Sequence, residues 1–271
     1  MKILSHSVFA STSNGLSNFW NVFNTDDQDC DEWSADAEDK QFSNDYQWLH
    51  WGPISATLLV VFVGFSTSLV HVSWWDISTL SGALVFMLFL LWNYLVLRYL
   101  YVACLLGAGY SKIGWHPQDE EEWEYFRYCY RCLAFKAPRV HHCSKCNRCV
   151  LLMDHHCPWI NNCVGQRNQI YFIKFLFVSI VGSVHAAVVL TSCLYQVIFF
   201  FMLQNPDSVQ QHPLQSPPDL SISSFYLFIA SIFAVGLSYG VIIAVGILLI
   251  VQLRSIYLDR TGIESLKDKM T

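Results

Sequence analysis

The stretch CYRCLAFKAPRVHHCSKCNRCVLLMDHHCPWINNC, residues 129–163, decides how the whole chain is read. Seven of the ten cysteines lie in these 35 residues: Cys129, Cys132, Cys143, Cys146, Cys149, Cys157 and Cys163. His142, His155 and His156 sit among them. Three Cys-x2-Cys steps occur, two of them sharing Cys146. A step of that length lets two thiolates grip one tetrahedral Zn²⁺. A disulfide framework is the competing reading. Seven thiols cannot all pair with one another, and the apolar spans described below place the stretch in a reducing cytosol, where disulfides are rare. Zinc is therefore expected.

Counting ligands leaves a remainder. Two tetrahedral sites take eight ligands, so six cysteines and two histidines suffice, and one cysteine and one histidine of the cluster are spare. The spare pair is best sought in Asp154-His155-His156-Cys157. A cysteine outside the metal shells, with a histidine two residues away and an acid beside that histidine, has the parts of an activated nucleophile. The alternatives are that Cys157 is a spectator, or that the ligand set differs and includes His141.

Asp154-His155-His156-Cys157 in this cysteine-rich frame resembles the DHHC protein S-acyltransferases, or palmitoyltransferases. The likeness continues through Pro158-Trp159-Ile160-Asn161-Asn162-Cys163-Val164-Gly165 to Asn168 and Phe172. With the apolar segments it covers most of the chain beyond the first 47 residues. The resemblance implies two structural Zn²⁺ ions with interleaved ligands: Cys129, Cys132, His142 and Cys149 for one, and Cys143, Cys146, His156 and Cys163 for the other. It implies Cys157 as the nucleophile and S-palmitoyl intermediate, His155 as its general base, and Asp154 as the group that orients His155. The implied co-substrate is palmitoyl-CoA or another acyl-CoA, and the implied products are S-acylated cysteines of other proteins. The implied partners are the lipid bilayer and membrane or membrane-associated proteins with cytosolic cysteines, with room for an accessory subunit and no nucleic acid.

Composition agrees with a membrane protein. Hydrophobic residues make up 54% of the chain and charged residues only 14%, where a soluble domain carries about a quarter charged residues. Four apolar spans stand out, at about 53–72, 77–106, 170–203 and 222–253. A span needs ~20 apolar residues, so the longer ones must tilt or project beyond the bilayer. Trp48, Trp51, Trp74 and Trp75 flank the first, as interfacial aromatics do. The fold expected is an all-α polytopic membrane protein with four transmembrane helices and a cytosolic two-zinc module of short strands and loops. That module is too poor in apolar residues to fold alone, so metal supplies folding free energy.

Charge sets the orientation. Nine of the sixteen basic residues fall in 98–169, and Arg254, Arg260, Lys267 and Lys269 follow the fourth span. The connections 73–76 and 205–221 contain no Lys or Arg. The cysteine-rich stretch and both termini are therefore expected to face the cytosol. The organisation read from this is an acidic, disordered cytosolic tail at 1–47, helices 1 and 2 at 48–110, the cytosolic cysteine-rich domain at 111–169, helices 3 and 4 with a lumenal loop at 170–253, and a cytosolic tail at 254–271. Nine acids lie between Asp26 and Asp45, which suits a solvated tail. Cys30, Cys104 and Cys193 show no pairing pattern.

Basic residues expected near the membrane face, Arg127, Arg139, Arg148 and Lys174, are candidates for the CoA phosphates; the competing explanation is positive-inside topology alone. Gly182 falls near the position on the third helix that, by resemblance, helps set acyl length. His185 lies inside that span, where a histidine usually faces the bundle interior. Thr261-Gly262-Ile263-Glu264 resembles the family's Thr-Thr-x-Glu motif with glycine in place of the second threonine, and Thr261 and Glu264 can cap the short helix that follows. His50-Trp51-Gly52-Pro53-Ile54, Gly114-Trp115, Lys136-Ala137-Pro138-Arg139 and Ile263-Glu264-Ser265 resemble an endoplasmic-reticulum branch of the family that carries a C-terminal SH3-like domain, so that membrane is expected. A non-catalytic, membrane-anchored zinc adaptor is the alternative function. It accounts for the metal and the helices but leaves Asp154, His155 and Cys157 without a role.

Overall fold

The computed structural model describes residues 49–74, 77–203 and 222–268. The acidic tail with Cys30 and the loop 205–221 lie outside the described residues. Four long helices carry the apolar spans: α1 (Trp51–Trp74), α2 (Leu80–Leu105), α3 (Gln169–Leu203) and α4 (Ile222–Tyr257). All four are long and apolar enough to cross a membrane. At 35 and 36 residues, α3 and α4 run to about 50 Å, well beyond a hydrocarbon core of ~30 Å. Large apolar side chains such as Leu58, Phe65, Ile243 and Ile250 remain exposed along the helices, as a lipid-facing surface requires. The last apolar helix ends at Tyr257, four residues past the expected 253, and a short helix α5 (Gly262–Asp268) follows.

The chain forms two compact units. One is helical, made of Ala56–Arg98 and Leu176–Ile247. Its core is Val70, Phe89, Ala186, Val189, Leu190, Cys193 and Ala234. His71 is fully buried there, and its ring lies 5.6 Å from that of His185. His185 also packs on Phe89, which gives the intramembrane histidine an aromatic environment.

The other unit is built on Tyr99–Phe175, with the described residues up to Ser55 and from Leu248 onward. It contains three antiparallel hairpins: β1 (Arg127–Cys129) with β2 (Ala134–Lys136), β3 (His141–Cys143) with β4 (Arg148–Val150), and β5 (His155–Cys157) with β6 (Asn162–Val164). Each strand is three residues long, too short to hold a sheet by itself. The hairpins share one construction at a 14-residue interval. Cys129, Cys143 and Cys157 close the first strands, and Leu133, Asn147 and Asn161, four residues later, all turn back with φ between 48° and 54°.

Two asparagines tie the third hairpin to the end of α2. Asn162 donates to the carbonyls of Ala103, Cys104 and Leu106 at 3.3, 3.3 and 2.8 Å. Asn168 donates to the Cys163 carbonyl at 2.8 Å and accepts the Gly165 N–H at 3.0 Å, fixing the entry into α3. These side chains satisfy carbonyls that a helix end leaves open. The first turn of α1 meets the same hairpin: a Cβ on Gly52 would stand 1.8 Å from the Pro158 carbonyl oxygen. Only glycine permits that approach.

Candidate active site

The hairpins bring the cysteines and histidines into two groups. Cys129, Cys132, His142 and Cys149 form one, and Cys143, Cys146, His156 and Cys163 the other. Within each group the four donor atoms lie within 4.8 Å of one another, and each group can hold a metal ion. In the first, Nδ1 of His142 lies 3.5, 3.3 and 3.9 Å from the sulfurs of Cys129, Cys132 and Cys149. In the second, Nδ1 of His156 lies 3.8, 3.4 and 3.7 Å from those of Cys143, Cys146 and Cys163. Zinc bond lengths of ~2.3 Å to sulfur and ~2.0 Å to nitrogen give tetrahedral edges of about 3.5–3.8 Å. The donor sets therefore fit zinc in identity, number and spacing. His141, the alternative ligand, lies outside both groups.

The 14-residue interval explains the interleaving. Each hairpin opens with a residue at −1 (Tyr128, His142, His156), then the strand-closing cysteine, a residue at +3 (Cys132, Cys146, Ile160) and a residue at +6 (Phe135, Cys149, Cys163). Every group takes the two turn cysteines of one hairpin and the −1 and +6 residues of the next. The third hairpin has no successor, and Ile160 stands where its second turn cysteine would be. Cys157 is thus left outside both groups.

Cys157 and His155 share a face of β5, because alternate residues of a strand point the same way. Cys157 is 5% exposed. The His155 ring bonds through Nδ1 to Oδ2 of Asp154 at 2.7 Å, and Cys157, on the same face of β5, is a further cause of its raised basicity. With Nδ1 held by Asp154, Nε2 is the ring atom left for the thiol. Phe172 packs edge-on against the ring at 5.5 Å. Burial alone would drive the His155 proton off, but the interactions with Asp154 and Cys157 outweigh it and raise the imidazole to about 9. Burial likewise pushes the Asp154 carboxyl up; hydrogen bonds from His155, Gln252 and the Gly262 N–H overcome it and hold the group below the usual carboxylate range. The arrangement is a buried thiol beside an imidazole of increased basicity, with the imidazole anchored on a carboxylate.

The residues after α4 complete the site. Gln252 Nε2 donates to Asp154 Oδ2 at 2.8 Å, and Gly262 N–H donates to Oδ1 at 2.6 Å. Thr261 and Glu264 form the expected reciprocal cap: Thr261 N–H donates to Glu264 Oε2 at 2.8 Å and Glu264 N–H to Thr261 Oγ1 at 3.4 Å. Arg139 grips Glu264 with two parallel bonds of 2.9 and 3.0 Å, and Asp259 with bonds of 2.9 and 3.1 Å. Neither Gln252 nor the partners of Arg139 stand out in the sequence. The one available signal for Gln252 was an amide inside an otherwise apolar helix, where polar groups usually have a purpose.

The basic candidates for CoA separate by environment. Arg127 is exposed. The Lys174 ammonium lies over the Tyr171 ring at 5.5 Å. Arg139 is engaged as described. Arg148 is buried, donates to the Ser111 carbonyl at 3.3 Å and lies over the Tyr110 ring. At Gly182 a Cβ would make ordinary contacts with Trp92 and Val96, at 3.5 and 3.9 Å.

Residues 122–269 match the family model of the DHHC palmitoyltransferases. Among curated proteins, the chain is 36% identical over 220 residues to palmitoyltransferase ZDHHC6 of Mus musculus and 37% identical over 220 residues to that of Homo sapiens, covering 80% of this chain and 53% of each relative. It is 36% identical over 155 residues to probable protein S-acyltransferase 12 of Arabidopsis thaliana, covering 49% of this chain and 53% of that protein. The chain spans about half the length of these curated relatives.

Proposed function

Because the chain belongs to the DHHC palmitoyltransferase family, we propose that it moves a long-chain acyl group from acyl-CoA to its own Cys157 and then to cysteines of other proteins at the cytosolic membrane face. The observation that carries this reading is the set Asp154, His155 and Cys157, with His155 hydrogen-bonded to Asp154 and sharing a strand face with Cys157, which stands outside two complete four-donor groups. Those groups would hold two zinc ions, whose contribution would be structural, fixing the hairpins that carry the site.

His155 takes the proton of Cys157, and Asp154 stabilises the resulting imidazolium. The thiolate attacks the thioester carbonyl carbon of acyl-CoA, a new S–C bond forms, the bond to the CoA sulfur breaks, and the leaving thiolate recovers the proton from His155. In the second half, a substrate cysteine gives its proton to His155 and attacks the acyl-enzyme, which releases Cys157. One thioester replaces another, so the chain's task is activation, positioning and exclusion of water. Burial contributes ~0.8 kcal/mol per methylene, so a palmitoyl chain brings on the order of 10 kcal/mol and favours an enzyme that sits in the bilayer. Arg127 and Lys174 remain the candidates for the CoA phosphates, since Arg139 and Arg148 are engaged in the fold. Gly182, which packs close to Trp92 and Val96, stands by resemblance near the position on α3 that helps set acyl length. The distribution of basic residues supports both termini facing the cytosol, and the resemblance of the quoted motifs to the endoplasmic-reticulum branch of the family supports that location and membrane-associated protein substrates.

The test is self-acylation. Detergent-purified wild type and Cys157→Ser are incubated with palmitoyl-CoA carrying a clickable tag. Hydroxylamine-sensitive label on wild type alone is the expected result. Equal labelling of Cys157→Ser would count against Cys157, and a folded, metal-replete wild type that takes no label would favour a non-catalytic adaptor.

A further inference from the structure

The Asp154 carboxylate is held from three directions. Oδ2 accepts from His155 Nδ1 at 2.7 Å and from Gln252 Nε2 at 2.8 Å, while Oδ1 accepts from Gly262 N–H at 2.6 Å. Gln252 is 3% exposed, and its Oε1 has no hydrogen-bond partner among the described residues. An ionised carboxylate only accepts, so the amide must present its nitrogen to Asp154 and leave its oxygen over. Burying an amide oxygen unpaired is unfavourable. An apolar side chain of the same length would avoid that penalty, yet would leave Oδ2 with His155 as its only donor. Rotation of an aspartate about its last torsion is soft, so a second donor at Oδ2 decides where the carboxylate plane lies and, through it, where the imidazole points.

We propose that Gln252 is a positioning residue for acyl transfer: its amide N–H locks the Asp154 carboxylate in the orientation that aims His155 at Cys157. The proposal rests on the acyl-transfer reading above. It differs from a packing role because the consequence runs through one hydrogen bond to one residue. Removing the donor while keeping the volume must slow acylation, and the loss must vanish once Asp154 has itself been disabled.

The experiment measures the initial rate of hydroxylamine-sensitive labelling of the full chain by tagged palmitoyl-CoA, with zinc content as the check of the fold. The variants are Gln252→Met, Gln252→His, Asp154→Asn and the double variant Asp154→Asn/Gln252→Met. Gln252→Met is expected to slow labelling by roughly tenfold or more with both zinc ions retained. Gln252→His, which restores a ring N–H donor, is expected to recover much of the rate. The double variant is expected to label no more slowly than Asp154→Asn alone. The inference is overturned if Gln252→Met labels at the wild-type rate, or if the two losses multiply, as an independent structural defect would make them do. Where Gln252→Met does not fold, Gln252→Leu takes its place: it also removes the donor with little change of volume, so a wild-type rate from it overturns the inference equally. A wild type that takes no label sinks the acyl-transfer reading and the inference with it, whereas a labelled wild type beside an equally fast Gln252→Met sinks the inference alone.

Discussion

The backbone N–H of Gly262 donates to Oδ1 of Asp154 at 2.6 Å, across 108 residues of chain. The approach is close enough that a Cβ on Gly262 would stand 3.2 Å from that oxygen and 3.2 Å from the Asp154 carbonyl oxygen. Asp154 is 2% exposed and held by three donors, so it has little freedom to move aside. Gly262→Ala is therefore expected to displace the carboxylate and slow self-acylation roughly three- to tenfold, about 1 kcal/mol of barrier, with zinc content unchanged. An undiminished rate of labelling would show that α5 can shift without cost to Asp154.

Ile160 is fully buried at the turn position where the first two hairpins carry Cys132 and Cys146. Ile160→Cys recreates the Cys-x2-Cys turn around Cys157. No further hairpin supplies the other two ligands, so the new pair can bind metal weakly or close as a disulfide. Labelling is expected to fall more than tenfold without reductant and to recover when reductant and chelator-treated buffer are supplied. Ile160→Val, a loss of one methylene worth about 1 kcal/mol of stability, serves as the packing control and should label near the wild-type rate. Full activity of Ile160→Cys in air would mean that the turn geometry does not bring the two sulfurs together.

The cysteine-rich stretch was legible because metal ligation compresses its requirements into spacings of a few residues, and the four helices because a bilayer demands continuous apolar length. The 14-residue interval that dictates which donors pair was present in the same letters. Adjacent spacing alone does not reveal it, since Cys146 fits a step on either side. Arg139 illustrates what stays hidden. As a lone basic residue near the membrane face it suggests phosphate binding, but its carboxylate partners lie 120 and 125 residues away, at Asp259 and Glu264. Gln252 is hidden for the same reason, because Asp154 lies 98 residues away. Long-range polar contacts leave no periodicity behind them.

The Arg139–Glu264 pair has a pH dependence of determined sign. Burial alone would raise the Glu264 carboxyl, but the bonds from Arg139 and the Thr261 N–H outweigh it and lower it. A carboxylate whose folded value is depressed adds stability above its unfolded value, ~4.3, and loses it as the pH falls through the lower folded value. The difference in thermal midpoint between wild type and Glu264→Gln is expected to be constant from about pH 7 to about pH 5 and to shrink below about pH 4. Because both side chains keep some solvent contact, the neutral-pH difference should correspond to ~1 kcal/mol. Metal loss in acid affects both proteins alike and cancels in the comparison. A difference that grows on acidification would contradict the assignment.

Asn162 sits opposite Cys157 in the β5–β6 register and is 1% exposed. Its amide nitrogen faces the Ala103, Cys104 and Leu106 carbonyls, and its oxygen accepts from the Tyr110 hydroxyl at 3.2 Å. Asn162→Ala leaves helix-end carbonyls unpaired in a buried place, at about 1–3 kcal/mol, and should lower both the thermal midpoint and the labelling rate. Asn162→Asp keeps the shape yet points a carboxylate oxygen at three carbonyl oxygens. It is expected to be worse than alanine at neutral pH in both measurements, although it is the more conservative change by volume. If Asn162→Asp instead folds and labels as well as wild type, the amide does not face the end of α2, and the anchoring of the reactive hairpin must lie with other contacts such as those of Asn168 and Gly52.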